Sequence, residues 1–468
     1  MLSDENINFN AVYADGNFEK ITLGKMINRG GASGKIYQVE KHPHLVAKIF
    51  HHTKNSQTNR QKLEAMLLNK PSFPPVESDG IKYTQIAWPE ALLENEQGFC
   101  VGYLMPLINM DDAVSLDHLM QKAVRKKLGL PDKYAYRIFA AYNVAAMINS
   151  LHKCGHYMVD LKPSNVSVYK ANMLVAMVDC DGFSIKGEKS RYPAEFVSEE
   201  YIYPEGMKQS CQDMGEEQDK FALAVIIFKL LNNGIHPFSG VPHKNDDKML
   251  TIQNRIEEYH YAYGLWPDRY QAPHPYSIHE YFDKSTLELF ERAFTKSGIR
   301  PTAYEWQEHL WKLMHNLRQC KNNPNHVYFT SKGCGLCISE DKFLHEMKNI
   351  KKQKQTPEKI RGIEIGNLSQ EKISLFATIV YMLFFGFLYK LLLPIENAIT
   401  SIGIGAQAII ATLMLFGIHK LINKYKLMIP LLQNKSFTDM LQVYALICTI
   451  IALVSINNIP NNLLELAL

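Results

Sequence analysis

The chain has 468 residues, which is too long for a single compact core and predicts about three structural units. Its 51 basic and 47 acidic residues give a formal net charge of +4, which is not by itself typical of a nucleic-acid-binding protein. The first residues show neither a basic nor an apolar signal segment, so we expect no cleavable secretory signal.

Two apolar, strand-like runs between residues 21 and 39 flank a cluster of glycines, Gly30, Gly31 and Gly34. Glycine lets backbone N–H groups approach phosphate oxygens, because no side chain stands in the way. The cluster therefore indicates a phosphate-binding loop. A glycine-rich hairpin without a ligand is the alternative.

Residues 45–50 form a buried-strand pattern that is interrupted by the ammonium group of Lys48. A charge in a buried strand is costly unless it is paired, so Lys48 should have an anionic partner. Residues 59–68 have helical periodicity, and Glu64 on this helix is the predicted partner. The alternative is that Glu64 is an ordinary solvated helix glutamate.

A long amphipathic helix predicted at residues 133–152 leads into the stretch L-H-K-C-G-H-Y-M-V-D-L-K-P-S-N. Its acid, lysine and amide are Asp160, Lys162 and Asn165. A positioned carboxylate can accept the proton of a hydroxyl group, and an amide oxygen can bind magnesium. The stretch predicts a catalytic loop, although D-x-K-P is also an ordinary turn sequence.

Two carboxylates, Asp179 and Asp181, follow a strand pair predicted at residues 166–169 and 174–178. Either could hold a magnesium ion, because both come directly after a strand. Asp179 is preferred for its spacing from Asn165, and Asp181 stays open. A polar turn that closes the hairpin is the interpretation without a ligand.

The order of these motifs resembles that of a protein kinase. The catalytic-loop pattern of that family is H-R-D-L-K-P-x-N, so Asp160, Lys162 and Asn165 match it, while Met158 and Val159 replace the histidine and the arginine. The glycine loop also departs from the family pattern, since Asn28 stands where the first glycine is expected.

Three further segments carry the resemblance. Residues 219–240 resemble the kinase stretch D-x-F-S-L-G-x-x-L-x-x-L-L-x-G-x-x-P-F-x-G, and Asp219 begins it. Tyr203-Pro204-Glu205 resembles A-P-E, and the segment that begins at Arg300 resembles R-P-x-A. The resemblance covers roughly residues 15–317 and implies an α+β, bilobal protein kinase-like fold. It also implies that Arg300 pairs with Glu205 and that Asp219 bonds the backbone of the catalytic loop.

The resemblance assigns a role in γ-phosphoryl transfer to each candidate residue. Asp160 would act as the base and Lys162 would steady the transferred group. Asn165 and one of the two carboxylates at 179 and 181 would hold Mg²⁺. ATP would be bound by the glycine loop, by Lys48 and, at the adenine edge, by backbone groups near Met105 and Leu107, at the end of the apolar strand predicted at residues 98–107. Tyr103 or Leu104 would guard the pocket behind them.

The form L-K-P-S-N is typical of Ser/Thr kinases. Several of the motifs, with the cysteine cluster that follows them, resemble a bacterial family of kinase-like proteins that carry a helix-hairpin-helix DNA-binding tail. This chain departs from that pattern after residue 340, so we expect no nucleic-acid partner.

Three thiols and one imidazole follow in residues 318–340: Cys320, His326, Cys334 and Cys337. Cys-x-x-Cys on a glycine turn is a good half-site for zinc, and the other two residues could complete a tetrahedron. We predict a small structural Zn²⁺ module. A redox pair or reduced surface thiols are the alternatives.

A lysine-rich linker is predicted at residues 341–371, followed by a transmembrane region at 372–460. Three apolar stretches there have about 20 residues each, enough to cross a bilayer. The lysines around them orient the kinase domain towards the cytosol, so the predicted location is the inner (cytoplasmic) membrane. Small residues in the second stretch could support oligomer formation.

The sequence thus favours a membrane-anchored, ATP-dependent Ser/Thr kinase that acts on protein hydroxyls. The alternative is a pseudokinase that serves as a nucleotide-binding scaffold at the membrane. The replacement of the catalytic-loop histidine and arginine by Met158 and Val159 favours the scaffold, whereas the retention of Lys48, Asp160 and Asn165 favours the enzyme.

Overall fold

The computed structural model describes residues 7–28, 33–51, 56–73, 76–78, 80–243 and 250–355. Gly30, Gly31 and the transmembrane stretches predicted within residues 372–460 lie outside the described residues. Within the part of the chain that is described, no helix combines the length and the apolar character that a membrane crossing needs.

The strands lie mainly in the first half of the described chain. They are β1 (Asn8–Tyr13), β2 (Phe18–Asn28), β3 (Gly34–Val39), β4 (Leu45–Phe50), β5 (Glu77–Ser78), β6 (Ile81–Lys82), β7 (Ala91–Glu94), β8 (Cys100–Pro106), β9 (Ala113–Ser115), β10 (Val166–Tyr169), β11 (Val175–Met177), β12 (Ile185–Lys186), β13 (Arg191–Tyr192), β14 (Gly240–Pro242), β15 (Gln271–Pro273), β16 (Arg318–Gln319) and β17 (Val327–Tyr328).

The helices, apart from short 3₁₀ turns, lie mainly in the second half. They are α1 (Ser56–Leu68), α2 (Leu116–Met120), α3 (Lys122–Lys127), α4 (Tyr134–Lys153), α5 (Glu216–Leu231), α6 (Ile252–Glu257), α7 (Lys284–Phe294), α8 (Ala303–His315) and α9 (Gly335–Gln355).

An antiparallel barrel forms the N-terminal part, in the order β1-β2-β3-β4-β8-β7. β1 closes it by pairing with both β2 and β7, although β1 lies before residue 15, where the predicted domain begins. Side chains alternate between the faces of a strand. In β4, Ala47 therefore packs inside the barrel, whereas its neighbour Lys48 belongs to the opposite face.

Helix α1 packs beside this barrel, and Trp88 fixes it there. The Trp88 indole is fully buried, and its N–H donates to the carbonyl oxygen of Met66 on α1 over 2.9 Å. Apolar residues at helical spacing, Leu63 and Met66, fill the interface. Packing and this hydrogen bond help to set the face that α1 turns towards the barrel.

The C-terminal part is built around α4 and α5. All the apolar side chains of α5 are buried, whereas Glu216, Glu217, Lys220 and Lys229 are not. Aromatic residues of α5, α7 and α8 meet in one cluster, in which the ring centroids of Phe228 and Phe290 are 5.0 Å apart, as are those of Phe290 and Trp306. This core holds the end of α4, from which the predicted catalytic loop departs.

A short sheet in the order β11-β10-β9 follows that loop. Its centre, β10, matches the strand predicted at residues 166–169, and β11 lies within the second predicted strand. The end of β11 delivers Asp179 next to the loop. The sheet and α4 therefore present the predicted acidic residues at the same edge.

The segment that contains the predicted zinc residues packs on the C-terminal part. The backbone N–H of Tyr134, the first residue of α4, donates to the carbonyl oxygen of Asn325 over 2.9 Å. The ring of Phe329 stacks on Phe282 with 6.1 Å between centroids, and Leu336 is buried in the main core. This module shares a core with the helices that carry the catalytic loop.

Candidate active site

The predicted catalytic and magnesium-binding residues converge on one cleft of about 490 Å³. The residues that line it are Ser33, Phe50, His51, Asn59, Lys62, Leu63, Met158, Asp160, Lys162, Asn165, Asp179, Asp181, Gly182, Phe183, Glu195 and Phe196. They come from the barrel, from α1, from the catalytic loop and from the segment after Asp181.

Asp160 lies at the centre of a network of hydrogen bonds. Its Oδ1 accepts from the hydroxyl of Ser198 over 2.7 Å, and its Oδ2 lies 2.7 Å from Lys162 Nζ. Lys162 Nζ also donates to Ser198 Oγ over 2.9 Å. The amide nitrogen of Asn165 donates to the carbonyl oxygen of Asp160 over 3.0 Å, which leaves its amide oxygen for another ligand. The predicted trio is thus in place.

Ser198 is a site residue that the sequence reasoning missed. The available signal was a serine within the predicted activation segment, five residues before Tyr203-Pro204-Glu205. Its hydroxyl touches both Asp160 and Lys162, as an acceptor hydroxyl would have to do in order to react.

Asp219 bonds the backbone of the catalytic loop, as predicted. Its fully buried carboxylate accepts the backbone N–H groups of Met158 and Val159 over 2.8 and 2.7 Å, and it lies 3.0 Å from His152 Nε2. Val159 has a φ of +60°, in the left-handed region that a β-branched residue adopts only at a cost. Asp219 stabilises this turn without the histidine and arginine side chains of the family pattern.

The two carboxylates after β11 occupy different environments. Asp179 has backbone angles of φ 56° and ψ 41°, and its side chain is 58% exposed and lines the cleft. The side chain of Asp181 is only 13% exposed and accepts from the hydroxyl of Tyr103 over 2.9 Å. Of the two side chains, that of Asp179 is therefore the more exposed, although both line the cleft.

Lys48 pairs with both carboxylates. Its Nζ lies 2.7 Å from Asp181 Oδ1 and 3.3 Å from Asp179 Oδ1. Burial by itself would lower the pKa of Lys48, but the attraction of Asp181 and then Asp179 outweighs it and raises this pKa above its usual value. Tyr103, not Leu104, faces this pair, because Leu104 packs inside the barrel.

The predicted pairing of Lys48 with Glu64 was wrong. Glu64 is 45% exposed and bonds Arg60, one helical turn earlier on α1, over 2.8 Å. Successive residues of a helix are rotated by about 100°, so Glu64 lies on nearly the opposite face from Lys62. It is Lys62 that faces the cleft. Apolar Leu63 and Met66 fix this rotation, because they must be buried against the barrel.

Other nucleotide-site predictions are modified by the structure. Gly34 lies in β3, where a Cβ atom would come within 2.5 Å of the Ile49 carbonyl oxygen, so strand packing accounts for this glycine. The N–H of Leu107 donates to the carbonyl oxygen of His44 over 2.8 Å, so this N–H is not free for an adenine ring. Met105 is buried in β8.

The predicted pair of Arg300 and Glu205 is present. Arg300 Nη2 lies 2.5 Å from Glu205 Oε2, and Nη1 lies 3.4 Å from Glu217. The guanidinium group is buried, whereas both carboxylates remain about half exposed. This contact ties the segment that carries Ser198 to the helical part of the domain.

A second constellation lies in the C-terminal module. The ligand atoms of Cys320, His326, Cys334 and Cys337 all lie within 4.8 Å of one another. The Sγ atoms of Cys320 and Cys337 are 3.5 Å apart, close to the ~3.8 Å expected between two thiolates on one tetrahedral zinc ion. His326 presents Nδ1 to Cys337 at 3.4 Å, and its Nε2 lies 3.4 Å from Glu340. The set has the composition and spacing of a zinc site with a supporting carboxylate.

Comparisons with known proteins agree with this geometry. Residues 103–312 match the family model of the protein kinase domain. The described domain has a protein kinase-like fold. The chain is similar to protein kinase YegI of Escherichia coli strain K12, with 28% identity over 321 residues that make up 66% of this chain and 47% of the relative. YegI of E. coli O157:H7 gives 27% over the same length. Serine/threonine-protein kinase ppk21 of Schizosaccharomyces pombe is 29% identical over 140 residues, 28% of this chain and 24% of that protein.

The predicted kinase-like α+β fold is thereby confirmed, and so is the similarity to bacterial kinases. The chain spans about half the length of the YegI proteins it matches. The family match begins at residue 103, within β8, so Lys48 and the other barrel strands lie outside the matched residues.

Proposed function

We propose that the protein is an ATP-dependent protein kinase that transfers the γ-phosphoryl group to serine or threonine hydroxyls of proteins. One observation carries this proposal: the hydroxyl of Ser198 lies 2.7 Å from Asp160 Oδ1 and 2.9 Å from Lys162 Nζ, and these two residues line one cleft with Asn165 and Asp179. The similarity to a yeast protein named as a serine/threonine kinase supports the choice of acceptor.

In the transfer, the acceptor oxygen forms a bond to the γ-phosphorus while the bond from that phosphorus to the bridging oxygen of ADP breaks. Asp160 orients the acceptor hydroxyl and takes its proton. Lys162 lies 2.7 Å from Asp160 and can balance the charge of the group in transfer. Asp219 bonds the backbone of the loop that carries Asp160 and Lys162, and so keeps these two side chains in place.

The oxygen donors at the cleft fit magnesium. Asp179 offers an exposed carboxylate, and Asn165 offers an amide oxygen that its own hydrogen bonds leave open. When bound, the metal neutralises phosphate charge. Asp181 is engaged with Lys48 and Tyr103, so its role here is to orient Lys48, the role first assigned to Glu64.

The proposal is tested by incubating the full-length chain with γ-labelled ATP, magnesium and a generic protein substrate, followed by phosphoamino-acid analysis. We expect phosphoserine or phosphothreonine with the wild type, and at least a hundredfold less with Asp160→Asn. Asp111→Asn, an exposed aspartate outside the cleft, is the matched control and should behave as wild type. Nucleotide binding without any label transfer would instead identify a pseudokinase scaffold.

The cysteine and histidine cluster is proposed to hold one structural zinc ion. The support is the donor set: three thiols and an imidazole at tetrahedral spacing within a segment that has little core of its own. Elemental analysis of the purified full-length chain should give about one zinc per chain, and Cys334→Ser should give less. A wild-type chain that is folded and stable but contains no zinc would contradict this assignment.

Membrane anchorage, with the kinase domain in the cytosol, is a further part of the proposal. Its support is the sequence alone: three apolar stretches of about 20 residues and the lysines that surround them. The full-length chain should sediment with inner membranes and resist carbonate extraction. A version that ends at residue 356 should not, and extraction of the full-length chain by carbonate would contradict the proposal.

A further inference from the structure

Lys62 is a second lysine of the cleft, on helix α1. It is only 9% exposed, yet its side chain is among those that line the cleft. It lies on the same helical face as Asn59 and Leu63, which line the cleft with it. The rotation of α1 that turns Glu64 away from the cleft therefore places the ammonium group of Lys62 in it.

Few groups in the protein offset the cost of burying the positive charge of Lys62. It donates one hydrogen bond, to the carbonyl oxygen of Pro193 over 3.3 Å. Among the described residues, no carboxylate lies within ion-pair distance of it; Asp181 and Glu195 attract it from farther away, and Lys48 repels it. A buried ammonium without a paired anion is costly. Burial accordingly lowers the pKa of Lys62 to about 8.

Lys48 is in the opposite situation. It forms ion pairs with Asp181 and Asp179, and it is not among the residues that line the cleft. Of these two lysines, the one whose charge is balanced by the protein is thus Lys48. The one that is buried, unpaired and open to the cleft is Lys62.

We propose that Lys62 is a ligand for the phosphate groups of the bound nucleotide, and that it supplies from α1 a cation that this site uses in addition to Lys48. The inference rests on the proposed function, because it assumes that a nucleoside di- or triphosphate enters this cleft. The phosphates provide the anion that Lys62 lacks in the free protein. The protein carries an unpaired buried charge because that charge is paired when the nucleotide binds.

The test compares ligands with and without phosphate. Binding of ADP and of adenosine to the full-length chain is measured by calorimetry at pH 7 in buffer freed of magnesium beforehand and without a chelator, so that no magnesium contributes and the proposed zinc ion stays in place. Lys62→Gln should weaken ADP at least tenfold and change adenosine less than twofold, whereas Lys62→Arg should keep most of the ADP affinity. Lys208→Gln, which alters an exposed lysine, is the control and should change neither ligand.

A pH series adds a readout that a structural role would not move. Wild-type affinity for ADP should fall as the pH rises from 7 to 9.5, because Lys62 loses its proton in this range, and the fall should be much smaller in Lys62→Arg. The charged groups that face Lys62 are Lys48, Asp181 and Glu195. The pKa of Lys48 is raised by Asp181 and Asp179, and that of Asp181 is lowered by Lys48, so this pair gives no competing transition.

The outcomes separate the two proposals. If wild type binds neither ADP nor adenosine, the proposed function fails and the role of Lys62 fails with it. If wild type binds both and Lys62→Gln leaves ADP unchanged, only the role of Lys62 is refuted. Equal weakening of ADP and adenosine would also refute it, since that result means Lys62 supports the fold of the pocket.

Discussion

The support of the catalytic loop by Asp219 gives a quantitative prediction. Asp219→Ala would leave the buried N–H groups of Met158 and Val159 without acceptors. Each such loss costs about 1–3 kcal/mol, so the variant should lose about 2–6 kcal/mol of unfolding free energy. Asp219→Asn keeps one oxygen acceptor and should lose about half as much. Val159 would no longer be held at a φ of +60°, so the loop should relax and displace Asp160.

The assay is denaturation by urea, followed through the fluorescence of the buried indoles of Trp88 and Trp306. Label transfer is measured in parallel below the unfolding transition. Asp213→Asn, an exposed aspartate close in sequence, is the matched control and should be neutral. If Asp219→Ala stays within 1 kcal/mol of wild type and keeps its activity, the loop does not depend on this carboxylate and the reasoning is refuted.

Three further predictions concern charge and metal. Lys62→Met should raise the unfolding free energy at pH 7 by up to about 3 kcal/mol, since the lysine pKa is about 8 when folded and 10.5 when unfolded. This gain should shrink between those pH values, because Lys62 loses its proton in the folded wild type first and the unfolding free energy of the wild type rises there. A gain that stays constant with pH would show that the charge of Lys62 does not cause it. Asp179→Asn should raise the half-saturating magnesium concentration at least tenfold, whereas Asp181→Asn should lower the turnover number and leave that concentration within twofold; the reverse pattern would exchange their roles. Cys334→Ser should lower the unfolding temperature and abolish the further effect of a zinc chelator, with Cys154→Ser as the neutral control; an unchanged unfolding temperature would argue against a structural metal.

Much of the fold was predictable because its signals are local. β4 and β10 have the predicted bounds, and α4 lies within one residue of its prediction. These elements combine strong periodicity with clear ends. β1 was not predicted, because its role depends on pairing with the distant β7, which sequence periodicity does not specify.

The candidate site likewise has a part that the local sequence predicts and a part that depends on contacts between distant segments. Asp160, Lys162 and Asn165 lie within six residues, so the turn that joins them also brings them together. The partner of Lys48 depended instead on the rotation of α1, which is set by packing of that helix against the barrel. A spacing argument could place Glu64 on the helix but could not choose its face, and Asp181 took its place from 133 residues away in sequence.

The most direct test of the central claim is to ask which bond of ATP the protein breaks. The full-length chain is incubated with magnesium and protein substrate, in parallel with γ-labelled and α-labelled ATP. Transfer of the γ-phosphoryl group predicts label on protein from the γ position alone, and its loss in Asp160→Asn. Label from the α position with none from the γ position would show nucleotidyl transfer and would contradict the assignment of this cleft to phosphoryl transfer.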